Sequence, residues 1–106
     1  MIKVYGSVKC PYCMVLKENL DRNQVGYEFI EILESLGKLG AFLAIRDREP
    51  VFDHLKEVND IGVPALVDES GKVWTDWEAW LTENNYEIFV PEASLHSSCS
   101  IDRKGC

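Results

Sequence analysis

The sequence predicts an α/β domain built on a mixed four-stranded sheet, in the order β-α-β-α-β-β-α, with helices on both faces. Three observations carry this expectation. A β-prone run, an amphipathic helix and a second β-prone run open the chain, and such a unit closes as a parallel strand pair with a right-handed crossover. Later, two short apolar runs flank Asp68-Glu69-Ser70-Gly71, which has the composition of a hairpin turn, so antiparallel strands join the same sheet. The 106 residues are 46% apolar, enough for a single core covered on two sides.

Residues 2–5 form the first β-prone run, broken by Gly6 and Ser7. Pro11 suits the first turn of a helix, where its absent N–H costs nothing. Cys13, Leu16 and Leu20 follow on one face, with Lys17, Glu18, Asp21 and Arg22 on the other, and the helix is expected to end near Gln24 with Gly26 as its stop. Residues 27–33 read as the second strand. Ser35 is placed to cap a second helix whose stripe is Leu36, Leu39 and Leu43 beside Phe42, closed by Pro50. Val51, Leu55 and Val58 mark a further short helix, stopped at Asn59-Asp60 or at Gly62. The hairpin strands cover residues 64–67 and 72–74. Thr75 and Glu78 have the spacing of a Thr-x-x-Glu capping box, opening a last helix with Trp77, Trp80 and Leu81 on its apolar stripe. From Pro91 the composition turns polar, so residues 1–90 read as one domain and 91–106 as a tail.

Composition excludes several classes of function. No apolar run approaches the roughly 18 residues of a membrane span. The N-terminal residues lack the pattern of a signal peptide, so the cytosol is the expected compartment. Structural disulfides are rare there, which turns attention to what Cys10, Cys13, Cys99 and Cys106 do chemically. A net charge of −7 makes nucleic acid and anionic membranes poor partners.

Cys10-Pro11-Tyr12-Cys13 lies at a strand-to-helix junction. Cys10 falls at the helix N-terminus, where unpaired N–H groups and the helix dipole favour an anion, and Lys9 adds a positive charge. Such cysteines have pKa values of about 3.5–7.5, against about 8.5 for a free thiol. Cys10 is therefore the expected attacking thiolate, exposed and ionised. Cys13, one turn in, is expected to be more buried and to resolve a mixed disulfide on Cys10. Tyr12 is expected at the rim. Cys-x2-Cys is also half of a zinc site, but His96, Cys99 and Cys106 have spacings that match no common zinc knuckle. A second feature is Val63-Pro64. Proline at the start of a central strand points to a strand-start position or a cis bond, and a cis bond would leave the Val63 backbone to pair with an extended peptide.

Lys9-Cys10-Pro11-Tyr12-Cys13, with Val63-Pro64 about fifty residues on, resembles the dithiol class of glutaredoxins across roughly residues 1–86. The resemblance implies a thioredoxin-like fold. It also implies a glutathione-dependent enzyme that reduces protein disulfides and glutathionylated thiols, with glutathione as redox cosubstrate, no metal, and a monomer as the working form. Catalytic Cys10 and Cys13 would be joined by a glutathione groove of Lys9, Tyr12, Val63, Pro64, Thr75, Asp76 and Trp77. Where glutaredoxins carry Gly-Gly-x-Asp for the γ-glutamyl end, this chain has Trp74-Thr75-Asp76-Trp77, with both glycines absent and the carboxylate one position early. That stretch is also similar to the Trp-Ser-Gly-Phe pattern of redoxins reduced by thioredoxin reductase, which donate electrons to enzymes such as ribonucleotide reductase. Arg46 and Arg48 are candidate contacts for the glycine carboxylate, although a plain solvated face is the preferred reading of them. A third reading is an iron–sulfur or zinc module using Cys10 with glutathione or Cys13; Pro11 would crowd a cluster.

Overall fold

The computed structural model describes residues 1–89. The expected tail, with His96, Cys99 and Cys106, lies outside the described residues. The elements are β1 (Ile2–Gly6), α1 (Pro11–Arg22), β2 (Tyr27–Glu31), α2 (Leu36–Arg48), a 3-10 turn (Pro50–Phe52), α3 (Asp53–Glu57), β3 (Ala65–Val67), β4 (Val73–Trp74) and α4 (Trp77–Glu83). The sheet order is β2-β1-β3-β4, with β1 parallel to β2 and antiparallel to β3, and β3 antiparallel to β4. This is the mixed α/β sheet the sequence predicts.

Strand alternation divides the core into two layers. Register pairs Val4 with Leu66 and Tyr5 with Ala65. Val4 and Leu66 point to one face with Leu16, Leu20, Trp77, Trp80 and Leu81. Tyr5 and Ala65 point to the other with Phe42, Phe52, Leu55, Val63 and the two cysteines. A side-chain period of two makes each strand serve both layers, so a one-residue slip would invert them.

Helix ends depart from the expectations in a consistent way. The helix α1 stops before Gly26. Its stop is a Schellman motif in which Gln24 takes φ 58°, with Gln24 N–H donating to Asp21 C=O and Val25 N–H to Leu20 C=O. Asn59 and Asn85 end α3 and α4 in the same way, at φ 62° and 64°. Asn59-Asp60 is thus the stop of α3, and Gly62 does something else. On α2, Ser35 caps as expected by accepting from Lys38 N–H at 3.1 Å. Its buried residue is Phe42, however, while Leu36 is 86% exposed. The expected leucine stripe is rotated because Phe42 fills the space over Tyr5 and Phe52. The capping box is also corrected. Helix α4 begins one turn position later than Thr75 implies, and Asp76 is its N-cap, accepting from Ala79 N–H at 3.1 Å. Thr75 is buried instead.

Asp68 organises the hairpin. Its Oδ1 accepts from Ser70 N–H and Oγ and from Lys72 N–H, and its Oδ2 accepts from the Trp74 indole at 3.0 Å. Burial alone would raise this carboxyl, but those donors outweigh it and hold the pKa down at about 2 from 3.8. A lowered carboxyl contributes stability above pH 3.8 that is lost as pH falls towards 2. Asp68→Asn is therefore expected to lower the melting temperature by a few degrees at pH 7, with the gap to wild type closing progressively below pH 4. Thermal melts of both proteins across pH 2–7 check this; a gap independent of pH would refute it.

Candidate active site

The turn from β1 into α1 is closed by its own backbone. Cys10 N–H donates to Ser7 C=O at 3.0 Å, and Lys9 N–H donates to Ser7 Oγ at 3.1 Å. Cys10 is the N-cap of α1, in extended conformation, and its carbonyl accepts from Cys13 and Met14 N–H. Pro11 occupies the first helical position. The placement of both cysteines in the helix follows the sequence expectation. Their exposure does not: Cys10 is 6% exposed and Cys13 is fully buried. Cys13 is a free thiol. Cys10 packs in one cluster with Tyr12, Ile32 and Val63, in keeping with its low exposure.

Cys13 is the sulfur the fold hides. Burial pushes its thiol up from 9.0 to about 12, against the lowering effect of a backbone hydrogen bond from Ser7, and the Glu31 charge adds to the rise. Gly6 makes this burial possible, because a Cβ there would lie 2.8 Å from Cys13 Sγ.

Two side chains, Glu31 and Arg46, hold the surroundings in roles the sequence did not show. Glu31, at the end of β2, accepts from Val8 N–H (2.8 Å) and Leu33 N–H (3.0 Å), tying the Cys10 loop to the loop after β2. Burial works to raise its pKa, but those N–H groups, the Ser7 hydroxyl and Lys9 outweigh it and lower it. Arg46 donates from Nε to Ile61 C=O (2.8 Å) and from Nη2 to Asp60 C=O (2.9 Å), fixing the chain just before Val63. Arg46 is therefore engaged with backbone, and Arg48 pairs with Glu49 at 3.2 Å. Only the spacing of Arg46 from the Val63 loop hinted at this, and spacing alone does not distinguish a brace from a ligand contact.

An almost wholly apolar groove of about 260 Å³ opens beside Cys10, lined by Lys9, Ile32, Leu33, Leu39, Ile61 and Val63 with Ser7. Lys9, Cys10 and Val63 are thus brought together as expected. The Val63-Pro64 bond is cis, and Pro64 is fully buried. Gly62 approaches at φ +103°, and a Cβ there would meet the Phe52 ring at 2.9 Å, so the step into Val63 needs glycine. Tyr12 does not stand at a rim. It is 8% exposed and packs in the layer that holds Cys10, Cys13 and Val63, while Pro11 takes the outward position. Trp77 belongs to the opposite layer and is 2% exposed, so its ring cannot wall the groove. Thr75 and Asp76 sit at the β4–α4 junction and do not line the groove. A larger cavity, about 510 Å³, lies among Ile2, Asp68, Trp80 and Tyr86 and includes none of the cysteine-site residues. Among the described residues no group of three or more His, Cys, Asp and Glu side chains could hold a metal ion.

A cysteine at a helix N-cap, with a second one turn in, on a mixed sheet of this order defines a thioredoxin-like protein of the thiol–disulfide redox class. The family model for glutaredoxin matches residues 2–68, and the chain belongs to the glutaredoxin family. It is 37% identical over 67 residues to an uncharacterized protein of Haemophilus influenzae, covering 63% of this chain and 78% of that one. No solved structure matches it significantly.

The contact between Gly6 and Cys13 is open to a direct test. Gly6→Ala is expected to destabilise the domain by about 1–3 kcal/mol through overpacking. Adding Cys13→Ala removes the sulfur in the way, so the double variant is expected to be more stable than the sum of the single changes allows. Urea titrations of the four proteins measure the coupling; additive effects would show that the sulfur is not what excludes a side chain at residue 6.

Proposed function

We propose that the chain is a glutathione-dependent oxidoreductase, working as a monomer in the cytosol, that reduces protein disulfides and glutathionylated thiols through Cys10. The observation that carries the glutathione part is Val63. It lines the groove beside Cys10, and its backbone N–H and C=O make no hydrogen bond to another described residue. An extended tripeptide placed there could pair with both groups while its cysteine sulfur meets Cys10, as an added strand does. Lys9 at the groove supplies a positive charge for a carboxylate. Pro64 is fully buried next to Val63 in sequence, and Tyr12 shares a cluster with the cysteines.

The γ-glutamyl end is assigned to the β4–α4 junction. The Asp76 carboxylate would face the ligand's ammonium, with backbone at Thr75 and Trp77 beside it. The Trp77 side chain takes no part. Reduced Cys10, as thiolate, attacks the disulfide of a glutathionylated protein. A Cys10–glutathione disulfide forms and the protein thiolate leaves, taking up a proton. A second glutathione thiolate then attacks that mixed disulfide, freeing Cys10 and forming glutathione disulfide. This route needs no contribution from Cys13.

The deciding experiment is a coupled assay in which glutathione with glutathione reductase is compared with thioredoxin reductase as the electron source. Turnover with glutathione is the expected result; turnover with thioredoxin reductase alone would transfer the chain to the reductase-fed redoxins that its Trp74-Thr75-Asp76-Trp77 stretch resembles.

Two variants refine the reading. Cys10→Ser is expected to abolish activity, and Cys13→Ser to keep much of the activity on glutathionylated substrates. Asp76→Asn preserves the oxygen that caps α4 and removes the charge, so it is expected to raise the KM for glutathione several-fold without changing the melting temperature. An unchanged KM would detach Asp76 from the ligand.

A further inference from the structure

We propose that the apolar groove beside Cys10 selects among protein disulfides, taking a large apolar side chain two residues from the substrate cysteine, with Leu33 and Ile61 as its specificity-determining walls. The inference rests on the reading of Cys10 as the attacking sulfur, and it names the class of disulfide which that reading leaves open: one in an extended segment with leucine, isoleucine, methionine or phenylalanine two places from its cysteine.

Three observations commit the groove to that occupant. First, Cys10 lines it, so what enters brings a disulfide to that sulfur. Second, the walls are Ile32, Leu33, Leu39, Ile61 and Val63, and Lys9 is the one charged residue that lines the groove. Glutathione, γ-glutamyl-cysteinyl-glycine, has no apolar side chain to give those walls. At about 260 Å³ the space is smaller than the roughly 300–1,000 Å³ of sites that enclose a whole small molecule, and it suits a side chain. Third, the Val63 backbone makes no hydrogen bond to another described residue, so an extended segment can add to it as a strand does. In such a segment residues i and i+2 share a face. A cysteine presented to Cys10 therefore turns the side chains two places away towards the same walls.

These walls are presented outward and held in place. Leu33 is 55% exposed, Ile61 36%, and Val8, beside Lys9 in the chain, 62%. One carboxylate fixes two of them: Glu31 accepts from Val8 N–H through Oε1 at 2.8 Å and from Leu33 N–H through Oε2 at 3.0 Å. Arg46 holds the Ile61 carbonyl at 2.8 Å. Exposed apolar side chains are ordinary when scattered singly. Here they gather around one sulfur on braced backbone, which marks a contact surface.

The chemistry is ordinary exchange. The Cys10 thiolate attacks the substrate cysteine whose neighbour fills the groove. The substrate S–S bond breaks, a Cys10–substrate disulfide forms, and the other substrate sulfur leaves as thiolate and takes up a proton. A glutathione thiolate then attacks Cys10 and expels the second substrate thiolate. A second glutathione thiolate attacks the resulting Cys10–glutathione disulfide, freeing Cys10 and forming glutathione disulfide. One substrate disulfide becomes two thiols, two glutathione thiols become one disulfide, and their two protons pass to the substrate. The groove acts on the first attack, because it holds the apolar side chain while the substrate bond is exchanged.

The test uses the full chain, reduced and freed of reductant, with symmetric disulfides of the peptide Gly-Xaa-Ala-Cys-Ala-Xaa-Gly in which Xaa is Leu, Ala or Asp. Release of peptide thiol is followed in single turnover without glutathione, and each rate is divided by that of the same peptide with dithiothreitol. In wild type the Leu peptide is expected to exceed the Ala peptide about tenfold, and Leu33→Ser with Ile61→Ser to bring that ratio down to about one. A wild-type ratio near one, an Asp peptide that reacts fastest, or an undiminished ratio in the double variant would each overturn the inference. The wild-type ratio needs no variant, and a general loss of activity in the double variant does not alter a ratio. Reduced protein that dimerises, and that Leu33→Ser disperses, would give the groove to a second copy of the chain and overturn the inference as well. A second arm adds glutathione with glutathione reductase. Leu-selective attack without turnover there leaves the inference standing and overturns the glutathione reading, whereas turnover without selectivity does the reverse.

Discussion

The Cys13 sulfur occupies the space where Gly6 has no side chain, and the rest of the site depends on that contact. It brings the first turn of α1 against the last residue of β1, with only residues 7–10 to make the passage. So short a passage leaves backbone groups that must be paired. Ser7 accepts from Cys10 and Lys9, and Glu31 reaches from β2 to take Val8. Because Gly6 is paired with Glu31 in the parallel ladder, the carboxylate is already opposite the loop it braces. Cys10 is therefore placed at the helix mouth by the strand, the helix and a neighbouring strand together.

The other half of the site is fixed by an independent set of contacts. Arg46 holds the carbonyls of Asp60 and Ile61, and Gly62 passes flat against Phe52. Both act on the residues immediately before Val63. The two halves are about fifty residues apart in sequence and meet because β1 and β3 are neighbours, with Tyr5 opposite Ala65. Residues just beyond those partners, Ser7 and Cys10 on one side and Val63 on the other, share one groove. Sheet register thus sets the distance between nucleophile and groove, and the loops only trim it.

Local signals were legible in the sequence where a residue type has one physical use. Pro11 marked the helix start, Ser35 the cap of α2, and Asp68 with Gly71 the hairpin turn. The apolar face of α1 was also legible, because Cys13, Leu16 and Leu20 recur at helical spacing opposite a charged face. What sequence did not give was choice among equivalent residues. Thr75 and Asp76 are both good caps, and the structure buries the first and uses the second. Any of five large apolar side chains could have turned α2 inward, and aromatic packing with Tyr5 and Phe52 selected Phe42. Tyr12 and Trp77 were read as groove walls because aromatic residues serve equally as core, and only the layer each enters decides. Asn19 and Glu31 were silent, since their partners, Phe89 and Val8, are 70 and 23 positions away.

The charges at this junction also define when it is strongest. Cys13 binds its proton more tightly folded than unfolded, since burial raises it from 9.0 to about 12. Its contribution to stability is therefore complete below pH 9 and lost as pH climbs towards 12. Glu31 runs the other way. Its carboxyl is lowered from 4.5 in the fold, so its contribution is complete above that value and lost as pH falls through the folded pKa. Between these limits Glu31 is ionised and braces the loop, while Cys13 is neutral and fills the space beneath Gly6. Position in the fold thus separates the two cysteines, with Cys10 at the N-cap of α1 and Cys13 sealed against Gly6 in the core.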